Sequence, residues 1–162
     1  MFRPGSASTP INVGFSPETD FQRDILTNDG FWPDVNLADF QKSRTIPVDI
    51  PTALIRNALL SAVVEVNTAL TDAQIAHQSA GFSHAVDVPG PRFADKNALC
   101  AQYEKAVFAR AKADLMGEFV ALGHKGEFAN QDGNETRETL LAEAAFVLRS
   151  LQGAPRVGVL IV

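Results

Sequence analysis

The chain has 162 residues, of which 46% are apolar and 20% charged, a composition typical of one folded domain and not of a disordered chain. The net charge of −5 and the scattered basic residues argue against a surface that binds nucleic-acid phosphates. Cys100 is the single cysteine, which excludes an internal disulfide and a multi-cysteine zinc site and fits synthesis in a reducing cytoplasm.

Neither a signal peptide nor a membrane-spanning segment is evident. The N-terminal residues lack a continuous apolar core, and no stretch approaches the ~20 apolar residues that cross a bilayer. We therefore expect a protein without a membrane partner.

Residues 1–50 are predicted to form an extended N-terminal arm. Residues 1–51 hold six of the nine prolines and five of the eleven phenylalanines, and prolines exclude long helices and central strands. The aromatic residues, Phe31 and Trp32 among them, are expected to anchor the arm on its own subunit or on a neighbour.

The first predicted helix is long, because no proline or glycine interrupts it between Pro51 and Gly81. Asp49 is its expected N-cap. One apolar stripe faces the core; it comprises Ile55, Leu59, Ala62, Val63, Val66, Leu70 and Ala73. Leu60 and Val64 fall on the far side and predict a second contact surface, either with another subunit or with the arm of the same subunit.

Two further amphipathic helices are predicted. A loop over 82–93, which contains Pro-Gly-Pro, precedes a helix that runs to Gly123. A third helix, capped by Asn134, ends at Gly153. Their inward stripes are Cys100, Phe108, Ala111, Leu115, Phe119 and Leu122, and Leu140, Leu141, Ala144, Val147, Leu148 and Leu151. Phe146 lies opposite the second stripe and is expected to point outward.

These elements predict an all-α fold. Residues 51–153 form a small antiparallel bundle of about three main helices, with the arm before it. Residues 154–162 form a short extended tail that is apolar and β-prone after Pro155. Such a tail is expected to pair with another surface, since an unpaired apolar strand aggregates.

Catalytic, cofactor and metal sites are not expected. None of the three histidines lies three or four residues from another, as helical zinc motifs require. Cys100 lies on an inward helical face and fits a packing role. Glu104 lies within the same apolar stripe, so it needs a partner, and Arg56 or a residue of an adjacent subunit is the expected one.

Several short strings, in order, resemble the head-completion proteins of contractile-tailed bacteriophages, the GpL type. They are Phe31-Trp32-Pro33-Asp34-Val35; Glu65, Asn67 and Leu70; Ala80-Gly81-Phe82 with Asp87-Val88-Pro89; Tyr103-Glu104-Lys105-Ala106-Val107; the acidic opening from Glu135 to Glu138; and Leu151-Gln152-Gly153-x-Pro155-Arg156. The chain departs from the family pattern before Phe31, at Ala154, and in its unusually apolar last six residues.

The resemblance implies a structural adaptor in the virion that forms a ring under the portal protein and connects the DNA-filled head to the neck and tail. It implies a cyclic homo-oligomer of roughly twelve copies, contact with a neck or tail-terminator protein, and DNA passing through without sequence-specific binding. The residues expected to dock on the portal or a neighbour are Phe31, Trp32, Pro33, Asp34, Arg156, Val157, Val159, Leu160, Ile161 and Val162. Leu60, Val64 and Phe146 are expected at the subunit interface.

Other interpretations stay open at this point. Phe31 and Trp32 would equally suit the bundle's own core, and the tail could pair with the arm of its own subunit. The protein could also be another small neck or tail-completion (stopper) protein. A small helical enzyme would need catalytic groups that converge from different helices.

Overall fold

The computed structural model describes residues 24–121 and 135–153. Helices dominate this part of the chain, which confirms the helical fold in outline. The elements in order are β1 (Ile25–Leu26), β2 (Val35–Asn36), α1 (Leu37–Ser43), α2 (Thr52–Ala69), α3 (Thr71–Ser79), a 3-10 turn (Ala85–Asp87), β3 (Arg92–Phe93), β4 (Lys96–Asn97), α4 (Ala98–Ala121) and α5 (Arg137–Leu151). The strands form two short antiparallel pairs, β1 with β2 and β3 with β4.

Helix α4 is the centre of the fold, and it packs against both α2 and α5. Lys105 of α4 pairs with Glu143 of α5, and Lys112 pairs with Glu135 just before it, so the two helices run antiparallel. Where they meet, small side chains allow close approach; the cluster consists of Ala109, Ala113, Leu140 and Ala144.

Most residues of the predicted core stripes that the structure describes are buried, whereas Ala73, Leu141 and Leu148 are half-buried at the edge of the core. In the first helical region, Ile55, Leu59 and Leu70 are completely buried. Cys100, Phe108, Ala111 and Leu115 are buried on α4, and Leu140, Ala144, Val147 and Leu151 on α5. The side chains of Phe119 and Leu122 lie outside the described residues.

The prediction of one uninterrupted first helix is wrong, because the chain bends by 60° between α2 and α3. The hydroxyl of Thr68 donates to the carbonyl of Val64 at 2.7 Å, and that of Thr71 donates to Asn67 and Thr68. Such hydroxyls compete with the backbone for helix carbonyls and bend helices. The bend leaves Leu70 fully buried.

Helix ends also differ from the predictions. Helix α2 begins after Pro51 without a side-chain cap, so the predicted cap at Asp49 is wrong. Thr136, not Asn134, caps α5, in a capping box with Thr139. Gly81 ends α3 at φ +97°, a conformation that favours glycine at this position.

The prediction of an extended arm is wrong for residues 31–50. The side chain of Asn36 accepts from the N–H of Ala38 at 2.8 Å and caps α1. Phe40 of α1 is fully buried and lies 5.3 Å from Phe108, ring centre to ring centre. The proline-rich region therefore contributes a helix and core residues to the bundle, because Pro33 and Pro47 flank α1 and leave its interior free.

None of the described helices is by itself long and apolar enough to cross a membrane. Helices α2 and α3 meet the length and composition criteria only as a pair, across their 60° bend.

Candidate interaction surfaces

Phe31 and Trp32, expected at a docking surface, lie in the core of their own subunit. They are 3% and 2% exposed, and their rings meet edge to face at 5.0 Å. Trp32 also stacks on Tyr103 of α4 at 4.7 Å, and Phe31 stacks on His77 at 6.1 Å. The prediction that another protein docks on Phe31 and Trp32 is therefore wrong, because both side chains pack in the core of their own subunit.

The loop that carries these rings is held by its own polar side chains. Asp29 Oδ1 accepts from the backbone N–H groups of Phe31 and Trp32, at 3.0 and 3.1 Å. Asp34, which is exposed, accepts from the N–H of Asn28 at 2.8 Å. Its carboxylate thus has a local role in the turn, and its predicted docking role stays a prediction, as does that of half-buried Pro33.

A closed ring of three side-chain hydrogen bonds fixes the same loop to α2 and α4. Asn28 donates to Tyr103 Oη at 2.8 Å, Tyr103 donates to Asn67 Oδ1 at 2.7 Å, and Asn67 donates to Asn28 Oδ1 at 2.8 Å. Burial raises the pKa of Tyr103 above its ordinary value. Two members, Asn67 and Tyr103, belong to the strings of the resemblance; Asn28 precedes them and gave no sequence signal.

A second polar network joins the end of α1 to α4 and α5. Arg44 donates to both carboxylate oxygens of Glu143, at 2.8 and 3.1 Å, and to the carbonyl of Lys105 at 3.2 Å. Lys112 is 5% exposed, donates to the carbonyl of Arg44 at 2.8 Å and contacts Glu135. The Arg44 hydrogen bonds lower the pKa of Glu143. The network stabilises the subunit and offers no open site.

The predicted ion pair between Glu104 and Arg56 is wrong. Glu104 pairs with Lys96 of β4 at 2.5 Å, and Arg56 pairs with Asp24. Because α2 and α4 run antiparallel, as the pairs Glu65–Arg110 and Asn67–Tyr103 show, Glu104 lies near the C-terminal end of α2. Arg56 is in its second turn.

The outward positions of Leu60, Val64 and Phe146 are confirmed. Their exposed fractions are 54%, 58% and 63%. Leu60 and Val64 lie one turn apart on α2 and are called the α2 surface from here on. Whether these residues contact another subunit stays a prediction.

The β3–β4 hairpin exposes an aromatic side chain that the sequence analysis missed. Phe93 is 89% exposed, beside a groove of about 540 Å³ lined by the hairpin and the first turn of α4. Asn97 holds the base of the hairpin, because its amide donates to the carbonyls of Ala85 and Val88 and its oxygen caps α4 at Cys100. The Pro-Gly-Pro-Arg-Phe string signals a turn, but not that its last ring stays in solvent.

The predicted tail docking residues, Arg156, Val157, Val159, Leu160, Ile161 and Val162, lie outside the described part of the chain. The structure does place the point where this segment begins. Gln152 donates from Nε2 to the carbonyl of Ala69 at 2.7 Å, and Gly153 ends α5 at φ +69°. Gln152 and Gly153, the last described residues before the tail, therefore lie beside the C-terminal end of α2.

The surroundings of Cys100 and His84, two potentially reactive side chains among the described residues, fit a structural role. Cys100 is buried, and burial raises the pKa of its thiol, which disfavours the nucleophilic thiolate. His84 lies at the surface, 3.2 Å from Asp87. Within residues 24–121 and 135–153, no three His, Cys, Asp or Glu side chains are grouped so that they could hold a metal ion.

Comparison with known proteins points to one family. A sequence profile of the phage head completion protein (GPL) family matches residues 26–162. The chain is 36% identical, over 85% of its length and 91% of the relative, to the probable head completion/stabilization protein of Haemophilus phage HP1. It is 25% identical, over 86% of its length and 84% of the relative, to the head completion/stabilization protein of Escherichia phage P2. No solved structure matches significantly.

Proposed function

The chain belongs to the phage head completion protein (GPL) family, and from this premise we propose that it forms a ring under the portal protein and connects the DNA-filled capsid to the neck and tail. A head completion protein is a structural component of the virion. The position at the head–tail junction, the ring and the portal contact are the proposal, and the observation that carries it is family membership over most of the chain.

Exposed apolar side chains on separate elements support assembly into a ring. Phe146 on α5 and Phe93 on the β3–β4 hairpin are 63% and 89% exposed. A closed ring uses a heterologous interface, in which one patch of each subunit meets a different patch of the next. We assign the side chains of Phe93 and Phe146 to that interface. We expect roughly twelve subunits in the assembly, as for a cyclic adaptor. Leu60 and Val64, also predicted at this interface, would be available for it only if no segment of their own chain covers them.

The C-terminal tail is proposed to dock on the portal or on a neighbouring subunit. Arg156 and the apolar Val157, Val159, Leu160, Ile161 and Val162 follow the end of α5. An extended apolar segment gains affinity by adding as a strand to the edge of a sheet, where main-chain hydrogen bonds form. The residue before Gly153, Gln152, is bound to the carbonyl of Ala69, so the proposed docking segment follows directly on the folded bundle.

DNA is proposed to pass the ring without sequence-specific contacts. The net charge of −5 repels the DNA backbone, within the 8–10 Å or so over which charges act at physiological salt. The other proposed partners are the portal and a neck or tail-terminator protein.

Electron microscopy of particles assembled with and without this protein tests the proposal. We expect filled heads to accumulate without tails when the protein is missing, and purified portal to retain the protein in a pull-down. Normal tail attachment in its absence would contradict the adaptor function and leave only a general stabilising role in the head.

A further inference from the structure

The α2 surface, formed by Leu60 and Val64, has a candidate occupant within its own chain. We propose that the segment preceding Asp24 packs across this surface in the same subunit, with Phe21 as its principal contact. This inference rests on the packing of one subunit and holds whether or not the protein forms a ring.

The point where this segment enters the described fold lies beside the α2 surface. Arg56 of α2 donates from Nε to the carboxylate of Asp24 at 2.8 Å. The carbonyl of Asp24 accepts from the N–H of Leu37 at 3.0 Å, and β1 pairs with β2 immediately afterwards. Side chain and backbone of Asp24 are thus both held.

Arg56 and the α2 surface share one face of the helix. Residues four apart lie one turn from each other, so Arg56, Leu60 and Val64 form a row along α2. The anchored Asp24 therefore stands at the end of this row, one turn from Leu60.

Phe21 is close enough in sequence to cover the row. It precedes Asp24 by three residues, which extend at most about 10 Å. Leu60 is one helical pitch, about 5.4 Å, beyond Arg56, and Val64 is one more. Either residue is therefore within reach of a phenylalanine ring. Residues 1–23 also contain the apolar Phe2, Ile11, Val13 and Phe15, any of which can extend the contact.

The C-terminal segment is the competing occupant, and the helix geometry disfavours it. This segment leaves beside Ala69, where Gln152 is bound. Ala69 is nine residues from Leu60, or about half a turn around α2 at 100° per residue. The C-terminal segment would have to cross the helix to cover Leu60, whereas the N-terminal segment enters on the same face.

Photo-crosslinking of the full chain identifies the occupant. p-Benzoylphenylalanine is placed at position 60 and, as a control, at position 75, because Leu60 and Ile75 are both 54% exposed and Ile75 lies on α3. A mixture of isotopically labelled and unlabelled chains separates contacts within a chain from contacts between chains. We expect position 60 to crosslink to residues 11–23 of its own chain. Crosslinks from position 60 to residues 154–162 or to a second copy would overturn the inference. So would a crosslinking yield at position 60 no higher than that at position 75.

Limited proteolysis gives an independent test without the bulky photo-probe. Trypsin cleaves after Arg23, next to the anchored Asp24, and packing of the segment slows this cleavage. In the double variant Leu60→Ser with Val64→Ser, we expect cleavage at Arg23 to be at least about five-fold faster, with Ile75→Ser unchanged. An unchanged cleavage rate in a double variant that retains its helical circular dichroism would contradict the contact.

Discussion

The indole of Trp32 lies flat on the phenol ring of Tyr103, with 4.7 Å between the ring centres and 6° between the ring planes. Both side chains are buried, and the ring of Phe31 meets the indole edge to face at 5.0 Å. The stack joins the loop before α1 to the middle of the bundle. It therefore belongs to the stability of the single subunit.

Trp32 is the only tryptophan, so intrinsic fluorescence reports this position alone. We expect the emission of a buried indole and weak quenching by iodide. Trp32→Ala should lower the free energy of unfolding by about 3–5 kcal/mol, as for a large core aromatic residue. The control, Phe93→Ala at an exposed position, should change it by no more than about 0.5 kcal/mol. Strong iodide quenching of the native protein would show that Trp32 is exposed and would support the predicted docking role.

Tyr103 is the only tyrosine, which makes its ionisation measurable by ultraviolet absorbance. Burial raises its pKa above the ordinary value of 10.0, so the folded state holds this proton to higher pH than the unfolded state does. The associated stability is present below pH 10 and is lost as pH rises further. We expect phenolate absorbance to appear together with loss of helical circular dichroism. Ionisation near pH 10 in a fully folded protein would contradict this.

Removing the Tyr103 hydroxyl tests the ring of hydrogen bonds with Asn28 and Asn67. In Tyr103→Phe both amides lose a partner, and we expect the free energy of unfolding to fall by about 1–3 kcal/mol. A double-mutant cycle with Asn67→Ala, measured by urea unfolding, should show coupling of about 0.5 kcal/mol or more. Additive losses would mean that the two residues act independently.

The Arg44–Glu143 pair predicts acid sensitivity. Hydrogen bonds from Arg44 lower the pKa of Glu143 from its ordinary value of 4.5, so the pair stabilises the fold above that value and its contribution is lost as pH falls below it. Glu143→Gln should lower the free energy of unfolding by about 1 kcal/mol at pH 7. Between pH 5 and pH 3, roughly the window of that titration, the variant should lose less stability than the wild type does. The control is Glu118→Gln, at an exposed position of α4, which should follow the wild-type pH profile.

Phe146 and Phe93 are the side chains to change if subunit contact is to be weakened without unfolding. Phe146→Ser and Phe93→Ser should unfold at the wild-type urea concentration, because both rings are exposed. Each should weaken self-association by about ten-fold or more if it lies at the centre of an interface, as sedimentation measures. Val48→Ser, at a 45% exposed position, is the matched control. Equal association of all three variants would remove both rings from the interface.

Deletion of Val157–Val162 separates folding from assembly. We expect the truncated protein to keep the helical circular dichroism and thermal unfolding of the full chain, and to bind portal or neighbouring subunits more weakly. Unfolding of the truncated protein would show instead that the tail belongs to the core of its own subunit.

Periodicity predicted which helical faces are buried, because apolar residues three or four apart on each helix are the ones in the core: Ile55 and Leu59 on α2; Phe108, Ala111 and Leu115 on α4; Leu140, Ala144 and Val147 on α5. The break at Leu70 was not predictable from proline or glycine. The break coincides with hydroxyl groups of Thr68 and Thr71 that bind helix carbonyls, an arrangement that many intact helices also contain.

The hydrogen-bond and ion-pair partners of polar side chains were the hardest feature to predict from the sequence. Glu104 was correctly expected to need a partner, but spacing along the chain could not show that the β3–β4 hairpin brings Lys96 to it. The same holds for Asn28, whose partners Asn67 and Tyr103 are 39 and 75 residues away. Long-range pairs of this kind depend on tertiary packing.

The position of the protein in the mature virion distinguishes a connector under the portal from a component of the capsid shell. A symmetry-relaxed cryo-electron microscopy reconstruction of the head–tail junction should show a closed ring of helical subunits directly under the portal, with α4 at the centre of each subunit. Density for this protein on the capsid shell away from the portal vertex, or none at the junction, would contradict the account.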